Sequence, residues 1–395
     1  MVRFGPSFPK LLSLFVVAHF AHHLLTAIPM PLLPLIRNEF GLDYTQSGFV
    51  ISAFSLSYGI GQVPAGWFAD RIGHRILITV GVSGLALAGL LVGFSRVYVM
   101  LLIFLSLMGV LAGGYHPAAP PIILTLVGPK SRGRVLGLHM VGGSAAYFLG
   151  PIIGTAIAAL WGWRSSFIGL AIPIIAFGFV LYWILGRQIP KREFGVRKMA
   201  LGEEKPTDPR RVLHLVVFLV LGIYMGAVFV SVISFIPLYL VDKFGADEET
   251  AGALLGLIYS SGLWVGPLAG YLSDRLGRIR MILAICLASG PVIYLLNFVP
   301  YGWGMFGLFF LMGMILISRT PVSESYILGQ TSARNRSTIL GIYYFAAIEG
   351  GGILTPLLGY IIDHLGFLTS FTIAAISLIL VTLVCSIWLW RSPDV

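Results

Sequence analysis

The chain has 395 residues, of which 57% are hydrophobic and only 11% are Asp, Glu, Lys or Arg, with a mean hydropathy of +0.92. A soluble domain carries about 25% charged residues, so the composition excludes a water-soluble protein of two or three domains and indicates a polytopic helical membrane protein. The formal net charge of +10 raises nucleic acid as a partner, but the basic residues are sorted by membrane side, which excludes it.

A bilayer-spanning helix needs about 20 mostly apolar residues. That window predicts twelve spans, at 11–36, 46–67, 76–95, 98–127, 135–160, 166–186, 213–241, 250–272, 281–299, 303–328, 338–362 and 367–390. The first run is longer than the apolar core of a signal peptide, and no cleavable signal is expected. Pro29, Pro31 and Pro34 are expected to bend span 1, and Pro117, Pro120 and Pro121 to bend span 4. Trp67, Trp161, Trp163, Trp183, Trp303, Trp388 and Trp390 fall near span ends, as in an interfacial belt. Cys286 and Cys385 lie inside apolar runs, so neither a disulfide nor a cysteine metal site is expected.

Lys and Arg set the orientation. With the N-terminus inside, the inner segments hold twenty-one of them: Arg3, Lys10, Arg71, Arg75, Lys130, Arg132, Arg134, eight between 187 and 212, Arg275, Arg278, Arg280, Arg334, Arg336 and Arg391. The outer segments hold four, Arg37, Arg96, Arg164 and Lys243, and Arg319 lies inside a span. Both termini are therefore expected in the cytoplasm, in the inner (plasma) membrane. The polar stretch 187–212, with Pro190, Pro206 and Pro209, reads as a cytoplasmic linker between six-helix bundles at 1–186 and 213–395.

The halves are repeats. A shift of 204 places Phe40-Gly41 on Phe244-Gly245, Gly48 on Gly252, and Gly66, Asp70, Arg71 and Gly73 on Gly270, Asp274, Arg275 and Gly277. Gly109, Pro117, Leu136 and Gly137 fall on Gly313, Pro321, Leu340 and Gly341; one inserted residue later, Pro151 and Gly154 meet Pro356 and Gly359. The fold class expected is all-α, with twelve transmembrane helices in two pseudo-symmetric six-helix bundles. That is a transporter arrangement, with a site at mid-depth between the bundles.

Span 2 ends in Gly66-Trp67-Phe68-Ala69-Asp70-Arg71-Ile72-Gly73-His74-Arg75, and span 8 in Gly270-Tyr271-Leu272-Ser273-Asp274-Arg275-Leu276-Gly277-Arg278. Read as residues, these are tight basic turns that need glycine. They resemble the loop signature of the major facilitator superfamily, and the resemblance covers essentially the whole chain. It implies that Asp70, Arg71, Arg75, Asp274, Arg275 and Arg278 gate the cytoplasmic side. The Gly150-Pro151-Ile152-Ile153-Gly154 segment of span 5 is similar to the superfamily's exporter motif, with Ala146 where Gly is usual; small residues there permit close helix packing. His19-Phe20, Gly113-Gly114-Tyr115-His116-Pro117 and the run from Arg132 through His139 to Gly142-Gly143 resemble the branch of fosmidomycin-resistance exporters. That branch usually has Asp where His23 stands, and the superfamily's Arg early in span 4 is replaced by Leu105.

Ionisable groups inside spans are the strongest site signal, because each is costly unless paired or hydrated. They are His19, His22, His23, His116, His139, Arg319, Glu324 and Glu349. His116 and Thr320 are repeat equivalents, so Arg319 stands at the matching depth. By resemblance, spans 1, 4, 7 and 10 line the cavity, which places His23, His116 and Arg319 there beside Tyr115. Arg319 reads as a clamp for an anionic group or as a structural ion pair, and both readings stand. Glu349, between Ala347 and three glycines, reads as the coupling carboxylate or as glue between helices, with His23 the second coupling candidate. His139 and Glu324 lie nearer the cytoplasmic face, where hydration is expected to explain them. His19 and His23 share a face at i, i+4, but span 1 offers no carboxylate or thiol, so no metal and no cofactor are expected.

The function expected is proton-coupled export of a small anionic or amphipathic compound by alternating access, with proton-coupled uptake of an organic anion as the alternative. The partners expected are the lipid bilayer, that small molecule and protons, in a monomer without nucleic acid. No phosphate-binding loop points to ATP. A receptor or scaffold without turnover is a rival from another class. An enzyme is not expected, since Tyr115 and His116 lack a third catalytic member.

Overall fold

The computed structural model describes residues 8–125, 132–188, 209–331, 339, 342–343, 345–346 and 350–390. Among these residues all regular structure is helical. The first half runs α1 (Phe8–Thr26), α2 (Leu33–Phe40), α3 (Tyr44–Ile72), α4 (His74–Thr79), a π-helical turn (Val80–Gly84), α5 (Leu85–Gly93), α6 (Tyr98–Ala112), α7 (Tyr115–Thr125), α8 (Arg132–Trp161) and α9 (Trp163–Gln188). The second half runs α10 (Pro209–Phe244), α11 (Glu248–Ala253), α12 (Leu255–Ser260), a 3-10 turn (Ser261–Leu263), α13 (Val265–Leu276), α14 (Arg278–Leu295), α15 (Trp303–Gln330) and α16 (Gly351–Leu389). Eight of the helical stretches are long and apolar enough to cross a membrane, and Lys10–Thr26 is a shorter apolar one.

The breaks follow the residues that force them. Span 1 divides into α1 and α2 across Pro29 and Pro31, with Pro34 in the first turn of α2, where its missing N–H is not needed. Span 4 breaks at Gly113-Gly114 rather than at its prolines: Pro117 sits in the first turn of α7, and Pro120 and Pro121 continue the helix. The last two spans are joined in α16 at Gly366, whose φ of 73° and ψ of 171° interrupt the helix. Glu349 of span 11, Arg334 and Arg336 of the loop before it, Lys130 and most of the 187–212 linker lie outside the described residues.

Local backbone geometry repeats with the sequence. Gly73 (φ 102°, ψ 137°) and Gly277 (φ 92°, ψ 136°) each form a one-residue turn between helices in a region closed to side-chain-bearing residues. Gly41 pairs with Gly245 (φ 63° and 65°), and Gly162 with Gly366 (φ 79° and 73°). All three pairs are 204 residues apart, the shift that aligns the first four spans of each half; Gly162 and Gly366 return to it beyond the stretch where Pro151 and Gly154 align at 205.

The chain forms two compact units. One comprises 1–42, 49–195 and 240–256, and the other 43–48, 196–239 and 257–395. In the first, α1 lies along α8, where glycines allow backbone approach. A Cβ on Gly142 would meet the Val16 carbonyl carbon at 3.0 Å and the Phe20 nitrogen at 3.2 Å, and one on Gly150 would touch Ala27 Cβ at 3.0 Å. Gly154 leaves the same space for Ile28, 2.9 Å from its Cβ position, and Thr155 donates to the Pro151 carbonyl at 2.7 Å. In the second, α14 packs on α15 and α16, and Asp363 accepts the backbone N–H of Tyr44 and of Thr45, both at 2.9 Å.

Candidate functional site

The first unit gathers five histidines from three helices. His19, His22 and His23 come from α1, His116 from α7 and His139 from α8. Their positions depend on backbone features nearby. The π-helical turn of span 3 presents the Gly81 carbonyl, to which His22 Nδ1 donates at 2.8 Å, leaving Nε2 for the Tyr58 hydroxyl at 3.2 Å. Gly81 also leaves room for α7, since a Cβ there would lie 2.8 Å from Tyr115 Cα. Gly143 does the same for His19, whose ring Cε1 and Nε2 sit 2.7 and 3.0 Å from the position a Cβ would take.

His19 Nδ1 donates to the His139 carbonyl at 3.0 Å, and its Nε2 has no protein partner. His23 Nδ1 contacts Thr26 Oγ1 at 3.1 Å, and the Thr26 hydroxyl itself donates to the His23 carbonyl at 3.3 Å. His23 Nε2 and His116 Nε2 face each other at 3.2 Å. Tyr115 is buried, donates to the Phe15 carbonyl at 3.3 Å and stacks on His22 with ring centres 4.8 Å apart. Tyr147 closes the group against His23 at 4.8 Å.

Two expectations need correction here. His139 is 2% exposed and stacks on His19 with ring centres 4.2 Å apart, so packing rather than hydration accommodates it. Trp163 is 3% exposed and does not belong to the interfacial belt. Its indole donates to Glu39 at 2.7 Å, and Arg164 binds the same carboxylate while donating to the Ser95 carbonyl at 2.7 Å. Burial opposes ionisation of Glu39, but the Arg164 and Trp163 donors and the Arg164 charge outweigh it and hold the carboxyl below its usual range.

The second unit holds Arg319, on α15 and 2% exposed. Its Nη1 donates to the Gly222 carbonyl and the Tyr343 hydroxyl, each at 3.2 Å, while Nε finds no partner. No carboxylate among the described residues forms an ion pair with it; Glu349 lies outside that set. Tyr343 escaped the sequence reading although it is the repeat equivalent of His139, a relation that could have flagged it. Glu324 is half-buried in the same helix.

At the loop motifs the two repeats again agree. The Arg71 guanidinium covers the Trp67 ring at 3.5 Å, and Arg275 covers Tyr271 at 4.6 Å, both one helical turn back. Arg75 instead stacks on Tyr182 at 3.6 Å, and Asp274 pairs with Arg278 at 3.5 Å on the exposed surface. The Asp70 side chain lies outside the described set.

Comparison with known proteins places these features. A sequence family described as the Major Facilitator Superfamily matches residues 15–316 and 217–395. The multidrug resistance protein MdtG of Proteus mirabilis (strain HI4320) is 27% identical over 380 residues, covering 92% of each chain. Among solved structures, a bacterial homolog to the human lysosomal transporter Spinster matches with a TM-score of 0.79 at 17% identity, over 98% of this chain and 97% of that one. A POT family transporter solved in complex with 5-aminolevulinic acid matches with a TM-score of 0.80 at 14% identity, over 97% and 96%. At such identities the structures establish the fold, and the family match covers nearly the whole chain. This protein, a multi-pass membrane transporter of small substrates rather than an enzyme, belongs to the major facilitator superfamily.

Proposed function

We propose that this transporter is a proton-coupled exporter of a small anionic or amphipathic compound, working by alternating access as a monomer in the inner (plasma) membrane with both termini in the cytoplasm. The observation that carries the reading is Arg319. A guanidinium stays charged in any protein environment, and here it is buried with Nε unsatisfied and only a carbonyl and a hydroxyl on Nη1. A phosphonate or carboxylate on the substrate supplies what that fork lacks. Export is supported by the multidrug resistance relatives at 27% identity and by the Gly150-Pro151-Gly154 packing against α1. Glu349 carries the coupling proton, and Asp70, Arg71, Arg75, Asp274, Arg275 and Arg278 gate the cytoplasmic side.

The test is flux of radiolabelled phosphonates and carboxylates in inverted and right-side-out vesicles under an imposed pH gradient. Accumulation in inverted vesicles, lost in Arg319→Lys and uncoupled from the gradient in Glu349→Gln, is the expected result. Accumulation in right-side-out vesicles would make the protein an uptake symporter. Unaltered anion affinity in Arg319→Lys would remove the clamp.

A further inference from the structure

We infer that His19, His23 and His116 form a binding site for one divalent transition-metal ion, joining α1 to α7 within the first unit. Spacing along α1 offers two ligands on one face; the fold adds the third from 93 residues away. One ligand nitrogen from each of the three lies within 4.8 Å of the other two.

The hydrogen-bond accounting favours an ion over a packed imidazole cluster. The His139 carbonyl can only accept, so His19 carries its proton on Nδ1 and keeps a buried, unpartnered lone pair on Nε2. The Thr26 hydroxyl gives its proton to the His23 carbonyl and so accepts from His23 Nδ1, which leaves a second lone pair on His23 Nε2. A single N–H on His116 Nε2 can serve one of these lone pairs and not both. A cation at their centre serves all three rings. An acceptor behind Nδ1 with Nε2 free is the outer-shell pattern of metal-bound histidine. His22 is the contrast inside the same cluster, since both its nitrogens are taken by Gly81 and Tyr58.

Distances agree. Two imidazole nitrogens at about 2.1 Å from a tetrahedral ion stand about 3.4 Å apart, with ring centres about 5.2 Å apart. His23 Nε2 and His116 Nε2 are separated by 3.2 Å, and the ring centres of the three pairs by 4.7, 5.3 and 5.2 Å. A movement of roughly 1 Å by one ring closes the set. His116 is only half-buried, so the fourth position stays open to water or an anionic ligand. Three neutral imidazoles select Zn2+, Co2+, Ni2+ or Cu2+ over Mg2+ and Ca2+.

The experiment titrates Co2+ into purified, chelator-treated full-length protein without a histidine tag, reading the visible absorption of four-coordinate Co2+ and confirming stoichiometry with Zn2+ by calorimetry. One ion per chain is expected. His19→Gln, His23→Gln and His116→Gln should each weaken binding more than the roughly 10- to 100-fold typical of an outer-shell loss, and Thr26→Val and Gly143→Ala should fall within that range. His22→Gln should bind normally. Absence of stoichiometric binding by the wild type, or equal binding in the three ligand variants, overturns the site. If those variants fail to fold, X-ray absorption of the Zn2+-loaded wild type decides: three imidazole ligands support the site, and fewer than three refute it.

Discussion

Replacing Arg319 by Met separates the two readings of this residue by stability alone. Arginine at the centre of a membrane helix costs about 2.5–3.5 kcal/mol relative to an apolar side chain on insertion scales. Hydrogen bonds from a charged donor return about 1.5–3 kcal/mol each. Here both issue from Nη1 at 3.2 Å, the long end of the range, so together they recover about 3 kcal/mol. The terms cancel to within about 1 kcal/mol, and Met fills similar apolar space. Arg319→Met should therefore melt within a few degrees of the wild type while losing anion-dependent stabilisation. Breaking a structural ion pair would instead cost about 3–5 kcal/mol, roughly 6–20 °C for a cooperative unit of about 200 residues. Fluorescence-detected size exclusion after heating, with and without a phosphonate, reads both quantities. A fall of about 6 °C or more (the ion-pair range) without ligand would refute the clamp reasoning.

Two further outcomes follow from local geometry. Because Glu39 is held below its usual carboxylate range by Arg164 and Trp163 despite partial burial, its contribution is present above the unfolded pKa and disappears as pH falls through the folded value. With side chains 29% and 43% exposed the pair is worth about 0.2–1 kcal/mol, so the melting curves of wild type and Glu39→Gln should differ slightly at neutral pH and converge in acid; divergence in acid would contradict this. Gly73→Ala and Gly277→Ala should each cost about 1–3 kcal/mol and by similar amounts, since neither added Cβ meets an atom within 4 Å and the penalty is the positive-φ backbone alone. Unequal melting temperatures would show that the two turns are not equivalent.

The helical architecture was legible in the sequence because its causes are local. Apolar runs, Pro29 and Pro31 between α1 and α2, and glycines spaced by 204 each act within a turn or two of themselves. The break of span 4 was placed at the prolines, yet Pro117 tolerates a first turn and Gly113-Gly114 yields instead. Trp163 read as an interfacial residue because nothing near it in sequence reveals Glu39, 124 positions away. The same blindness hid the histidine site: His19 and His23 show their common face, but His116 joins them only through α7. His139 looked hydrated because depth was judged along its helix, whereas burial is decided by what packs beside it.

The repeat also shows where the two halves specialised. Tyr115 and Arg319 are equivalent positions, as are His139 and Tyr343. In the first unit, Tyr115 donates to a carbonyl of α1 and stacks near His139, with ring centres 6.0 Å apart. In the second, Arg319 donates to a carbonyl of α10 and to the Tyr343 hydroxyl. The shared requirement is a long donor on one helix reaching the backbone of another, which both residues satisfy. The difference lies in what remains afterwards. A phenol has spent its only proton on the carbonyl, whereas the guanidinium keeps charge and an unpartnered Nε. The first unit therefore closes its hydrogen bonding internally at this position, and the second leaves Arg319 Nε without a partner among the described residues. The imidazoles beside Tyr115 reverse that imbalance, offering lone pairs where Arg319 offers protons. Substitution at matched positions thus set buried imidazole lone pairs in one unit against the unpartnered donor of a buried guanidinium in the other.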